Sequence, residues 1–230
     1  MNSRQPPAQT LRQMYNHLVH HYGPQRWWPA QTPFEVIVGA YLTQNTSWRA
    51  VENSIQNLAK QNALTISAIR NLPEDQLRQL IRPSGYMVRK AAALKAFVAF
   101  LDAEYHGSLD NLATEPTNIA RTKLLALPGV GPETADAILL YALHHPAMVV
   151  DEYLRRITTR HQLLPEEAKY NEIQSLAIDA LNDEPPETRT QHYNEFHALV
   201  VMVGKTHCGP KPKCEGCPLA KFTPNPHTPE

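Results

Sequence analysis

The sequence predicts a nearly all-α fold, and three observations carry that expectation. Apolar residues recur at three- and four-residue spacing along most of the chain. No stretch alternates apolar and polar residues for more than a few positions. The periodic runs are cut by turn residues, drawn from 20 prolines and 9 glycines. A hydrophobic content of 42% over 230 residues is enough for one large domain or two small ones with real cores.

Taken in order, Leu11, Met14, Tyr15, Leu18 and Val19 mark a first amphipathic helix that ends near His21-Tyr22-Gly23-Pro24. A Pro-bounded loop with Trp27 and Trp28 follows; it is either a lid on a core or a wall for a flat ring, since aromatic faces stack on bases. Residues 33–43 form an apolar helix that must be largely buried. Asn45 or Thr46 is expected to cap the next helix, where Val51, Ile55 and Leu58 share a face. Residues 65–72 and 75–82 read as short helices, and Arg82-Pro83-Ser84-Gly85-Tyr86 breaks the second before a long helix from Met87. Residues 105–116 read as a polar loop into a helix over 118–127. Beyond Asp151, helices are expected at 152–163, from Pro165-Glu166-Glu167 onward, and at 190–204.

The chemistry concentrates in residues 124–156, LLALPGVGPETADAILLYALHHPAMVVDEYLRR. Pro128-Gly129-Val130-Gly131 cannot continue a helix, and two glycines in three residues allow positive φ and close approach to another surface. Pro132 suits a first helical position, and Ala135, Ile138, Leu139 and Ala142 give the next helix one buried face. Free backbone N–H groups at such a turn can hold a phosphate; an ordinary helix C-cap is the plainer reading. Asp151 precedes a helical stretch, so it reads as an N-cap, a catalyst, or both.

Charge narrows the partners. The 22 basic and 22 acidic residues balance to +0, so no overall basic excess points to nucleic acid. Any DNA contact must come from local clustering and backbone donors. No apolar run reaches the roughly 18 residues of a membrane span. The N-terminal MNSRQPPAQT lacks the apolar core of a signal peptide, and a soluble, cytoplasmic, monomeric protein is expected. All three cysteines fall between 208 and 217, which favours metal chemistry over a disulfide framework.

The hairpin LPGVGPETADAILLYA followed by VVDEYLRR resembles the endonuclease III, or HhH-GPD, superfamily of DNA glycosylases. The resemblance implies a two-lobed helix-hairpin-helix glycosylase fold with a central cleft. One lobe of six helices would span 33–145; the other would join 1–32 to 146–230, with a cysteine loop at 205–220. It makes Asp151 the catalytic carboxylate and Gly129, Val130, Gly131 and Thr134 contacts to double-stranded DNA carrying a damaged base. LTQNT matches a superfamily motif whose glutamine, here Gln44, fills the space left by an extruded base; a helix-end amide bonded to backbone is the alternative. Arg82 and Gly85 lie in the turn that contacts the opposite strand, and Arg82, Arg89 and Lys90 would meet phosphates or form a solvated face.

Superfamily members that also cut the strand carry a lysine two positions after the second hairpin glycine. That position is Glu133, and a carboxylate cannot form an imine. The implied activity is therefore monofunctional: hydrolysis of the base–sugar bond after base flipping. The WW loop, LTQNTSW, RPSGY and GPETADAILLYA together look most like the DNA-3-methyladenine glycosylase III branch. In that branch two aromatics sandwich an alkylated purine; the matching positions are Trp27, Trp28 and Trp48. Indoles attract a cationic purine, so no acidic pocket residue is required. An oxidised, deaminated or mismatched base, and a non-catalytic DNA-binding module, are the alternatives.

Cys208-x5-Cys214-x2-Cys217 resembles the superfamily's 4Fe–4S loop, which that branch lacks. The place of the fourth thiolate is Thr223. Three readings stand: a cluster completed by His207, His227 or solvent; a metal-free vestige; or zinc with three cysteines and a histidine.

Overall fold

The structure, a computed structural model, describes residues 5–25, 27 and 30–224, and among these every regular element is helical. The chain divides into two units: Met1–Trp27 with Met148–Glu230, and Trp28–Ala147.

Helix α1 (Pro7–Tyr22) opens the first unit and buries Leu11, Met14, Tyr15 and Leu18. The second unit is built around α2 (Pro33–Thr43), apolar on all sides, with Ile37, Val38, Tyr41 and Leu42 fully buried. Thr32 starts it: its hydroxyl accepts the Glu35 N–H at 3.1 Å. The unit continues with α3 (Trp48–Lys60), α4 (Ile66–Asn71), α5 (Glu74–Leu80), a 3₁₀ turn at Arg82–Ser84, α6 (Met87–Tyr105), α7 (Leu109–Ala113), α8 (Thr117–Leu125) and α9 (Pro132–Ala137). Helix α2 packs directly on α3, α6 and α9.

Two details correct the sequence reading of this unit. Neither Asn45 nor Thr46 caps α3; Asn45 is left-handed at φ +52°, and Ser47 stands at the N-cap. The polar stretch 105–116 contains α7, started by Ser108, whose hydroxyl accepts the Asn111 N–H at 3.2 Å.

The first unit resumes with α10 (Glu152–Arg160), α11 (Tyr170–Ala180) and α12 (Arg189–His207). Helix α1 packs on α11 and α12, and α10 packs on both as well. Pro165-Glu166-Glu167 forms a turn, not a helix start. Helix α11 begins three residues later, where the Glu172 carboxylate accepts the Lys169 N–H at 2.8 Å. Helix α12 runs three residues beyond the expected end, so it leads straight into the cysteine loop. Gly204 on α12 lets α10 come close: a Cβ there would lie 2.4 Å from Tyr153 ring atoms.

Candidate active site

In the second unit, α8 and α9 form the helical hairpin. Gly129 turns the chain at φ +77°, a conformation that favours glycine, and Gly131 caps α9 in extended conformation ahead of Pro132. Gly129, Gly131 and Glu133 are exposed. Below the turn, Arg121 of α8 grips Asp136 of α9 through two bonds of 2.6 and 3.0 Å. Asp136 is fully buried, so this ion pair locks the hairpin from inside. After Ala137 the helix widens into a π-turn over Ile138–Ala142, with Leu143 N–H bonded to Ile138 C=O, five residues back, at 3.1 Å. The expected one-sided helix is buried from Thr134 through Leu143, because Asp136 has its own partner and needs no solvent.

Gln44 and Thr134 have interior roles in the hairpin. Gln44 caps α2, and its amide donates to Gly129 C=O at 2.8 Å and to the Thr134 hydroxyl at 2.9 Å. Gln44 thus ties the LTQNT turn to the glycine turn. Thr134 is buried; its hydroxyl supports the loop from beneath.

The RPSGY turn is held from inside by Lys90, contrary to the expectation of a phosphate contact or a solvated face. Lys90 is buried, and its ammonium donates to Leu42 C=O and Ser84 C=O, both at 2.8 Å. Burial pushes its pKa down. Arg82 and Arg89 remain exposed as expected. Gly85 is at φ +67° and Tyr86 at φ +46°, and Tyr86 is 60% exposed. A left-handed, solvent-facing tyrosine is a strained choice. The sequence reading gave Tyr86 no role; its position right after Gly85 was the available signal.

Trp48 opens α3, and its indole N–H donates to Glu52 at 2.7 Å. It borders a cavity of about 180 Å³ together with Glu35, Gly39, Glu52 and Gln56. Two carboxylates therefore lie beside this indole, where the sequence reading required none.

In the first unit Asp151 stands at the head of α10 and is only 9% exposed. Its Oδ1 accepts the Leu154 N–H at 2.7 Å, so it is an N-cap. Its Oδ2 is not part of that bond and lies 3.7 Å from Nε2 of His197, a buried residue of α12. The His197 ring in turn lies 5.8 Å from the Trp27 ring, the two planes at 56°. His197 escaped the sequence reading, since 46 residues separate it from Asp151 and a histidine on an apolar helix face carries no distinctive pattern. Trp28 and His227 lie outside the described residues.

At the end of α12, Cys208, Cys214 and Cys217 border one cavity of about 170 Å³ with His161, His207 and Thr223. Arg160 donates to the Cys208 sulfur at 3.1 Å, to Gly209 C=O at 2.8 Å and to Pro210 C=O at 3.0 Å. Burial raises the pKa of the Cys217 thiol. Among the described residues no three Cys, His, Asp or Glu side chains converge on a single ion. Three thiols around one cavity are compatible with an iron–sulfur cluster, which thiolates hold.

Among the described residues no helix is long and apolar enough to cross a membrane. The family model "HhH-GPD superfamily base excision DNA repair protein" matches residues 38–182. A Methanocaldococcus jannaschii protein, named by inference as a DNA repair glycosylase, is 42% identical over 92% of this chain and 94% of its own length. Endonuclease III of Thermotoga maritima is 28% identical over 80% of this chain and 79% of its own. Among solved structures, the H. pylori 3-methyladenine DNA glycosylase MagIII bound to 1,N6-ethenoadenine superposes with a TM-score of 0.74 at 28% identity, covering 87% of this chain and 98% of that one. A trapped endonuclease III–DNA covalent intermediate gives 0.77 at 22% identity, over 94% and 95%, a likeness of fold. The glycine turn locked by Arg121 and Asp136, and the capping aspartate that follows it, are thus parts of a known scaffold: the chain belongs to the HhH-GPD superfamily of base excision DNA repair proteins, as one of its DNA glycosylases.

Proposed function

We propose that this glycosylase is monofunctional and releases an alkylated purine such as 3-methyladenine from double-stranded DNA. The observation that carries the reading is Glu133: the exposed position where strand-cutting relatives present an amine holds a carboxylate instead. Water must then be the nucleophile. The bond from C1′ of the sugar to the base breaks, and the base leaves with the bonding pair. A methylated, cationic purine leaves as a neutral base, so no general acid is needed. Asp151 faces the cationic sugar with a carboxylate whose rotation is fixed by the Leu154 N–H. Water adds at C1′ and gives its proton to Asp151 or to solvent. Trp27 would offer an aromatic face in the first unit; in the second, Trp48 would offer another, and Glu35 and Glu52 beside it would add attraction for a positively charged ring. The 3-methyladenine specificity named for the H. pylori relative supports this substrate class.

On DNA, Gly129, Val130 and Gly131 would offer backbone N–H groups to the phosphates, Arg82 would meet the backbone, and Tyr86 at Gly85 would contact the opposite strand. The cysteine loop would hold a cluster through Cys208, Cys214 and Cys217, with His207, His227 or solvent as the further ligand. Such a group would brace the loop; the hydrolysis does not involve it.

A panel of duplexes, each with one lesion, tests the substrate. Release of methylated purine with thymine glycol left intact is expected. Release of thymine glycol alone would favour an oxidised-base enzyme, a reading to which the endonuclease III-like cysteine loop lends support. DNA binding without release of any base would leave a non-catalytic module.

A further inference from the structure

One buried histidine touches two parts of the site that the sequence gave no common partner. His197 of α12 places Nε2 3.7 Å from Oδ2 of Asp151, the carboxylate oxygen outside the N-cap bond. Its ring also packs at 5.8 Å against Trp27. The same helix anchors the loop that carries Trp27, since the Gln25 N–H donates to Glu195 at 2.5 Å. Helix α12 is therefore the common support of the stacking ring and the acid.

We propose that His197 is a positioning residue that couples base stacking on Trp27 to the alignment of Asp151. The coupling rests on the reading of Asp151 as the catalytic group. When a flat base settles on Trp27, the indole presses the imidazole toward the carboxylate. A displacement of under an ångström turns the 3.7 Å approach into a hydrogen bond from Nε2–H to Oδ2. Both oxygens then have one fixed donor, Leu154 N–H on Oδ1 and His197 on Oδ2, and the carboxylate keeps lone pairs for the sugar side and for water. No proton is transferred; the histidine acts by orientation.

The test uses the full chain and a duplex with one methylated purine. His197→Phe keeps a ring of similar size and removes the donor; His197→Gln keeps an N–H donor near the Nε2 position. His197→Phe should lower kcat by about 10- to 100-fold while KM moves by less than about 3-fold, the pattern of lost alignment. His197→Gln should recover at least about tenfold of that loss. Equal kcat for His197→Phe and wild type, or equal loss in both variants, overturns the proposal. Imidazole nitrogen NMR gives a readout that needs no turnover and no folded His197 variant. The His197 signal should be that of an Nε2–H tautomer and should shift in Asp151→Asn. An unshifted signal overturns the pairing. Full base release by Asp151→Asn instead removes the catalytic reading itself, whatever the NMR shows.

Discussion

Gly204→Ala should damage stability and catalysis through one contact. The new methyl would lie 2.4 Å from Cγ and Cδ1 of Tyr153 and 2.5 Å from its Cβ, where ordinary contact begins at 3.4 Å. These atoms sit next to the backbone of α10, so a side-chain rotation cannot clear them all. Helix α10 must move by about 1 Å, the difference between the two distances. Two effects compete. Alanine is a better helix former than glycine by about 1 kcal/mol, while overpacking costs about 1–3 kcal/mol. The contact involves three atoms at once, which puts the cost near the upper end, and a net loss of about 1–2 kcal/mol follows. Tyr153 is two residues from Asp151, so the shift reaches the carboxylate, and a misplacement of this size costs on the order of 100-fold in rate. Urea unfolding and single-turnover base release measure the two effects. In a Tyr153→Gly background the same alanine should cost less, as its clashing atoms are gone. Wild-type stability and rate in Gly204→Ala would refute the close packing of α10 on α12 and its link to the site.

Two further outcomes follow from the cysteine loop and from buried histidines. Iron and acid-labile sulfide should co-purify with anaerobically prepared protein, and Cys217→Ser should abolish both; iron-free protein with an intact, ordered loop would show that Arg160 and the backbone suffice. His161 and His145 have pKa values below the usual 6.5, chiefly through burial. The unfolded chain therefore binds their protons first as pH falls, and stability should be complete above about 6.5 and decline from there toward the folded-state values. His161→Asn should flatten the decline in urea titrations between about pH 7 and 5; an unchanged slope would mean that burial does not hold this histidine neutral.

Much of the fold was legible because the patterns are local. The unbroken apolar run of α2 from Pro33 and the glycine turn before Pro132 each declare themselves within a few residues. Three of the failures share a cause: a polar residue whose partner is not its near neighbour in the chain. Asp136 reads as a polar face until Arg121 is found beneath it. Lys90 reads as a phosphate contact, yet two backbone carbonyls, one of them on α2, hold its ammonium inside. His197 reads as nothing in particular and becomes conspicuous only beside Asp151 and Trp27. Glu166 and Glu167 mimic a helix start, but Glu172 at Lys169 provides the one that forms. Residue identity pointed to Asp151 as the proposed catalytic group and places a carboxylate, not an amine, at position 133; the proposed support from α12 needed three dimensions.

The most direct measurement is base release from a duplex with one methylated purine, by wild type and Asp151→Asn, with borohydride present in a parallel reaction. Wild type should leave an intact strand with an abasic site and no trapped protein–DNA adduct, and Asp151→Asn should bind the duplex while releasing base at least about 100-fold more slowly. A strong trapped adduct, or unchanged release by Asp151→Asn, would contradict a water-driven reaction directed by this aspartate.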